Sequence, residues 1–147
     1  MKSTPRRKSS RRAGTAAVEF AMVLPVFVLV IVGAMELCNL NTHKALVINE
    51  TREATRLAIN SNADASQIIS STVSQIAQLL DTPTSTVSCI CTAIAPNGTE
   101  RALFSQAVRG DIVEVTVSVP YSRVAIFAAS FTSDSFQISD TCIMQKE

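Results

Sequence analysis

The 147-residue sequence has few of the residues from which catalytic centres and metal sites are built. His43 is the single histidine. The sequence has no glycine-rich phosphate loop, no nucleophile elbow and no cluster of carboxylates with a histidine. Cys89 and Cys91 form one Cys-x-Cys pair with no second pair, which does not match the spacing of a zinc site. These absences argue against an enzyme, and we expect no cofactor, no metal and no small-molecule substrate.

Acidic residues are missing from residues 1–14, which carry six lysines and arginines. The rest of the chain has the opposite balance, with seven basic residues against twelve acidic ones. This mildly acidic body argues against nucleic acid as a partner, because phosphate binding needs a basic face. Lysine and arginine beside an apolar span hold that end of a chain in the cytoplasm. We therefore interpret residues 1–14 as a basic cytoplasmic leader, disordered in character.

A long apolar run, residues 16–37, follows the leader and is interrupted only by Glu19 and Glu36. As a helix, this run would be about 33 Å long. That length matches a hydrocarbon core of roughly 30 Å if both carboxylates lie near the interfaces. A buried core helix is the alternative, but the segment is apolar all round, which favours a membrane span. We expect a transmembrane helix over residues 15–38 and an exported domain over residues 39–147.

The residue pattern of the exported part predicts two helical segments followed by strands. The first helix continues through residues 39–60 as an amphipathic helix with Val47, Ala54 and Ala58 on one stripe. After a turn at residues 61–63, a second helix begins behind Asp64 and stops at residues 81–83. The apolar face predicted for it consists of Ile69, Val73, Ile76 and Leu80.

Beyond residue 83 the apolar residues recur at every second position, which is typical of strands. Residues 87–93 and 113–119 predict two strands, and residues 136–144 a weaker third. Residues 124–131 are apolar, and we interpret them as a short helix, a partner surface or a membrane-dipping element. The fold class is therefore α+β: one long N-terminal transmembrane helix that continues into a periplasmic amphipathic helix, a second helix, and a small antiparallel β-sheet of three or four strands.

The four cysteines suit disulfide formation in an oxidising compartment. Cys89 and Cys91 share one face of the predicted strand, which makes a bond between these two awkward. We expect a bridge from one of them to Cys142, with Cys38 free at the outer end of the span. The sequence itself does not choose among the pairings.

The most informative motif is the segment 11–20, RRAGTAAVEF. A carboxylate costs about 2.5–3.5 kcal/mol at the centre of a bilayer and less near the interface, so Glu19 needs a partner. Cleavage after Gly14 would create a new amino group on Thr15 at that edge of the membrane. The amine of one copy and the Glu19 carboxylate of a neighbouring copy could then pair.

This motif resembles the class III signal of type IV prepilins. The fuller run, residues 14–37, resembles the TadE-like pseudopilins of tight-adherence (Flp, type IVb) pilus systems. Residues 51–58, TREATRLA, are similar to that family's "AAREAARLA"-like helix with threonine at two usual alanine positions, and residues 138–147 to its C-terminal segment. The resemblance implies cleavage by a prepilin peptidase between Gly14 and Thr15, with Glu19 and Phe20 as recognition and assembly residues.

The expected function is therefore that of a minor pilin or pseudopilin in pilus assembly and secretion. It would lie in the bacterial inner membrane with its C-terminal domain in the periplasm, and it is expected to enter the pilus or to stay in the basal complex. The expected partners are the prepilin peptidase, other pilins, the assembly platform and the lipid bilayer. Two alternatives remain: an uncleaved single-pass envelope protein of the secretion machinery, and a secreted adhesin. The cell-attachment tripeptide at residues 109–111 is interpreted mainly as a turn.

Overall fold

The computed structural model describes residues 10–60, 64–101, 106–127 and 135–146, with side chains from Gly14 onwards. Within these ranges the chain forms two α-helices and one three-stranded antiparallel sheet. The elements are α1 (Ser10–Asn60), α2 (Ala65–Leu79), β1 (Ser88–Ile94), β2 (Ile112–Pro120) and β3 (Gln137–Gln145). Short 3-10 turns occupy Thr84–Thr86 and Tyr121–Arg123. The predicted α+β class is confirmed.

Helix α1 is a single element of 51 residues, about 76 Å long at 1.5 Å per residue, and it continues through Pro25. The predicted continuation of the apolar helix through residues 39–60 is therefore confirmed. The helix begins at Ser10, so the expectation of a fully disordered leader is wrong for residues 10–14. Arginine and alanine favour the helix, and extending an existing helix costs much less than nucleating one.

The second half of α1 turns one face towards the domain core. The predicted stripe is confirmed, because Val47, Ala54 and Ala58 are buried. Thr51 and Thr55 are also fully buried, which the sequence did not predict. Their hydroxyls donate 2.7 Å hydrogen bonds to the carbonyls four residues earlier. Both polar groups are thus satisfied within the helix, so threonine is accommodated on this face without a partner from the sheet.

Helix α2 begins and ends where the sequence predicts. Asp64 is its N-cap residue, although only its backbone takes part: the carbonyl accepts from the N–H groups of Gln67 and Ile68. At the other end, Asp81 adopts a left-handed φ of 50°, and the Thr82 N–H donates to the Ala77 carbonyl over 2.9 Å. This is the pattern of a Schellman cap. The turn expected at residues 61–63 lies outside the described residues.

The buried face of α2 is rotated slightly from the predicted one. Ile76 and Leu80 are buried as expected, but Ile69 and Val73 are only half-buried. The centre of the face is instead formed by Ile68, Thr72, Ile76 and Ala77. A threonine therefore replaces the aliphatic residue that the periodicity favoured.

The sheet has the order β1-β2-β3, with β2 in the centre. The four alternating valines of β2 are completely buried: Val113, Val115, Val117 and Val119. Helix α1 packs against β2 and β3, and α2 packs against β1, so both helices cover the same face. The opposite face is open, and Ile90 and Ile143 are more than half exposed there. All three predicted strands are confirmed, including the weaker third.

Candidate functional site

The residues of the predicted cleavage and assembly motif all lie on the first part of α1. The peptide bond between Gly14 and Thr15 is within the helix, and both residues are exposed. A glycine costs a helix about 1 kcal/mol relative to alanine, so the helix is intrinsically weak at this bond. Glu19 and Phe20, one to two turns further on, are also exposed. Among the side chains described, none forms an ion pair with Glu19.

The apolar part of α1 is largely exposed in the described chain. Its most apolar window has a mean hydropathy of 2.5 and no buried residue, and the helix is long and apolar enough to cross a membrane. Glu19 and Glu36 are 17 residues apart, about 26 Å along the helix axis. The two carboxylates thus border an exposed apolar surface of nearly the thickness of a bilayer core.

Glu36, at the end of this surface nearer the sheet, is bound by the segment that follows β2. The Tyr121 hydroxyl donates a 2.5 Å hydrogen bond to Glu36 Oε1. The backbone N–H of Phe127 donates to Oε2 over 3.0 Å, and that of Ile126 to Oε1 over 3.3 Å. One turn further along α1, the side-chain amide of Asn39 donates to the Val124 carbonyl over 2.8 Å. We call residues 124–127 the interfacial loop.

The surroundings of Tyr121 favour the protonated phenol. Burial of the phenol, together with the hydrogen bond to the Glu36 carboxylate and its charge, raises the pKa of Tyr121 to about 12. The Tyr121 ring also packs edge-on against Phe136, with ring centroids 5.5 Å apart. Sequence reasoning placed Glu36 at the interface but missed Tyr121, because 85 residues separate the two. The remainder of the predicted apolar segment, residues 128–131, lies outside the described residues.

The predicted disulfide cysteines lie on the covered face of the sheet but are not bonded to one another. All four cysteines are free thiols. Cys91 and Cys142 both neighbour Val115 from opposite sides, so β2 lies between them. Two strand spacings are about 10 Å, whereas a disulfide needs Cα atoms roughly 4.4–6.8 Å apart. A hydrogen bond with Cys89 and partial burial raise the pKa of the Cys91 thiol.

The cell-attachment tripeptide is a turn whose acidic residue is not accessible. Gly110 has a left-handed φ of 96°, which glycine adopts easily. The Asp111 side chain is completely buried and accepts two hydrogen bonds from Arg101, of 2.9 and 3.0 Å. A third comes from the Val108 N–H over 2.9 Å. These donors, above all the Arg101 guanidinium, lower the pKa of Asp111. The carboxylate is therefore an internal anchor for the loop before β2.

In the part of the chain that the structure describes, no three histidine, cysteine or acidic side chains form a group that could hold a metal ion. His43 is half-buried, and burial lowers its pKa.

Comparison with known proteins gives one match. Residues 14–56 match the family model described as "TadE-like protein". No curated protein and no solved structure matches the chain. The match begins at Gly14 and covers the exposed apolar segment of α1 and most of its continuation into the domain. The predicted resemblance to TadE-like proteins is thus confirmed over residues 14–56, which make up less than half of the chain.

Proposed function

We propose that this chain is a minor pilin or pseudopilin of a tight-adherence pilus, cleaved by a prepilin peptidase between Gly14 and Thr15. The observation that carries the proposal is the family match, which begins at Gly14 and follows α1 through its whole apolar segment. A chain that needed this helix only as a core element would bury it, and its apolar window contains no buried residue.

Assembly is proposed to use Glu19. The side chain is exposed on the membrane-facing part of α1. An unpaired carboxylate in or near the hydrocarbon core is unfavourable, at most by about 2.5–3.5 kcal/mol at the centre. The amino group that cleavage creates on Thr15 of a neighbouring copy would neutralise it. Pairing of these two groups would also fix the axial offset between adjacent helices, and Phe20 would complete the contact.

The proposed topology has residues 1–14 in the cytoplasm, residues 15–38 across the inner membrane and residues 39–147 in the periplasm. The six cations of the leader favour this orientation. The partners would be the prepilin peptidase, other pilins or pseudopilins, and the proteins of the assembly platform. No enzymatic activity is part of the proposal.

Cleavage is tested by N-terminal sequencing and intact mass of the membrane-bound protein from a host with the pilus system. We expect Thr15 as the first residue. Gly14→Leu should block processing, because it places a bulky side chain before the cut. Gly33→Leu is the matched control, since a side chain at either glycine meets nothing within 4 Å in the structure. An intact Met1 would overturn the proposed cleavage and favour the uncleaved envelope protein. Release of the protein into the medium would favour the secreted adhesin.

The assembly role is tested by Glu19→Val, with Val18→Ala as a control at an adjacent exposed position. We expect Glu19→Val to insert into the membrane normally, because the change makes the span more apolar, but to abolish incorporation into the pilus or its basal complex. Unchanged piliation with Glu19→Val would remove the assigned role.

A further inference from the structure

We infer that the interfacial loop, residues 124–127, dips into the outer leaflet, where Ile126 and Phe127 contact lipid acyl chains. The inference rests on the membrane span that is part of the proposed function. Of the three interpretations that the sequence left open for residues 124–131, it selects the membrane-dipping element for residues 124–127. It adds a second point of membrane contact, outside α1.

The depth of the loop follows from its hydrogen bonds. Both Ile126 and Phe127 donate their backbone N–H groups to Glu36, so the loop lies at the level of that residue along α1. Glu36 is the first charged residue after the uncharged membrane segment, residues 20–35. Despite this fixed backbone, the side chains of Ile126 and Phe127 remain 58% and 47% exposed. Two large apolar side chains are therefore presented at the border of the hydrocarbon core.

The loop also lies against the end of the apolar segment of α1. Ile126 lines a shallow groove of about 500 Å³ together with Ile31 and Met35 of α1. Ile31 precedes Glu36 by five residues, which places it about 7.5 Å deeper in the membrane. Cys38, Asn39 and Thr42, on the other side of Glu36, line the same groove. Ile126 therefore lies at the level where the apolar segment of α1 ends, at the border of the zone occupied by acyl chains.

Lipid is the occupant that the surroundings favour. The groove is continuous with the exposed apolar side of α1, where Ile31 and Met35 are 43% and 51% exposed. Arg123, an exposed cation, precedes the loop by one residue. Apolar side chains with an adjacent cation are typical of segments that lie in the membrane interface, where the cation meets lipid phosphates.

The absence of tryptophan from the sequence permits a direct test with single-tryptophan variants of the full chain. The protein is reconstituted into vesicles of phosphatidylethanolamine and phosphatidylglycerol, with or without brominated acyl chains that quench tryptophan on contact. Phe127→Trp is the reporter. Ile143→Trp is the matched control, because Ile143 is equally apolar and exposed but lies on the open face of the sheet. Leu29→Trp, within the apolar segment, reports on the span itself.

We expect Phe127→Trp to emit at shorter wavelength than Ile143→Trp and to be quenched several-fold more strongly. Quenching should be strongest with bromine close to the glycerol, whereas Leu29→Trp should respond most to bromine deep in the chain. Equal quenching at positions 127 and 143 would overturn the inference. Blue-shifted but unquenched emission at position 127 would also overturn it, since the loop would then be covered by protein, such as a second copy. An unquenched Leu29→Trp would overturn the membrane span and this inference with it, whereas a failure at position 127 alone leaves the proposed function intact.

Discussion

The phenol of Tyr121 donates a 2.5 Å hydrogen bond to the carboxylate of Glu36, across 85 residues of sequence. The contact joins the end of β2 to the outer end of the apolar segment of α1. It is reinforced by two backbone N–H groups of the interfacial loop on the same carboxylate. Glu36 therefore fixes the segment after β2 against the end of the apolar part of α1, in addition to the packing of α1 on β2 and β3.

Glu36→Gln should lower the pKa of Tyr121 from about 12 towards the ordinary value of about 10, without reaching it, because burial also raises this pKa. Tyr121 is the single tyrosine and there is no tryptophan, so tyrosinate absorbance during an alkaline titration reports on this phenol alone. Because the pKa is raised in the folded state, the contact stabilises the fold fully below about pH 10 and progressively less as the pH rises to about 12.

The control for that titration is Glu53→Gln, which makes the same change on an exposed part of α1, where Glu53 pairs only with Arg56. It should leave the Tyr121 titration unchanged. An identical titration in Glu36→Gln and wild type would contradict the assigned contact.

Asp111→Asn should lower the denaturant concentration at which the domain unfolds at neutral pH. The substitution removes a buried carboxylate that accepts two hydrogen bonds from Arg101. Because the pKa of Asp111 is lowered in the folded state, the carboxylate stabilises the fold above about pH 4, and this stabilisation is lost as the pH falls through the lowered pKa. Unfolding of the variant should therefore depend less steeply on pH in the acid range.

Asp64→Asn is the matched control for Asp111→Asn, since the Asp64 side chain makes no capping hydrogen bond and asparagine is an equally good N-cap residue. Equal acid sensitivity in Asp111→Asn and wild type would show that this ion pair does not contribute as described.

Val117→Ala should reduce the free energy of unfolding by about 2 kcal/mol, because it removes buried methyl groups from the central strand and leaves a cavity. Ile143→Ala, on the open face of the sheet, should change it by no more than about 0.5 kcal/mol. Both values come from denaturant titration of the full chain in detergent. Similar losses for the two variants would contradict the assignment of the covered and open faces.

Alkylation of the protein after unfolding without reductant should modify all four cysteines. The reason is that β2 separates Cys142 from Cys91, too far for a disulfide without displacement of the central strand. Mass spectrometry of the alkylated chain counts the free thiols. Detection of a peptide linking Cys142 to Cys89 or Cys91 would instead confirm the bridge expected from the sequence and show that the sheet rearranges.

The elements could be predicted because their signals are local. Alternation of valine defines β2, the run of apolar residues defines the first half of α1, and residues 81–83 end α2. The buried faces of the helices were less certain, because Thr51 of α1 and Thr72 of α2 are buried, and a search for apolar residues at helical spacing leaves threonine out. A threonine that bonds its own helix backbone is nearly apolar to its neighbours, and a pattern of hydrophobicity alone does not register this.

The hydrogen bonds to Glu36 could not be predicted from the sequence. Glu36 was recognisable as a carboxylate at the edge of an apolar run, but its donors come from a segment some 85–91 residues later. The separation of Cys142 from Cys89 and Cys91 could not be predicted either. Their shared face follows from alternation, whereas the strand that lies between them follows only from the pairing of the sheet.

Helix α1 is continuous from Ser10 to Asn60, with Pro25 in its apolar part. Because the sheet packs against the second half of this helix, movement of α1 along its axis would carry the sheet with it. If subunits leave the bilayer during pilus growth, Ile126 and Phe127 must be drawn out of the lipid in the same movement. The contact between the loop and lipid would then oppose extraction of each subunit until contacts with a neighbouring subunit replace it.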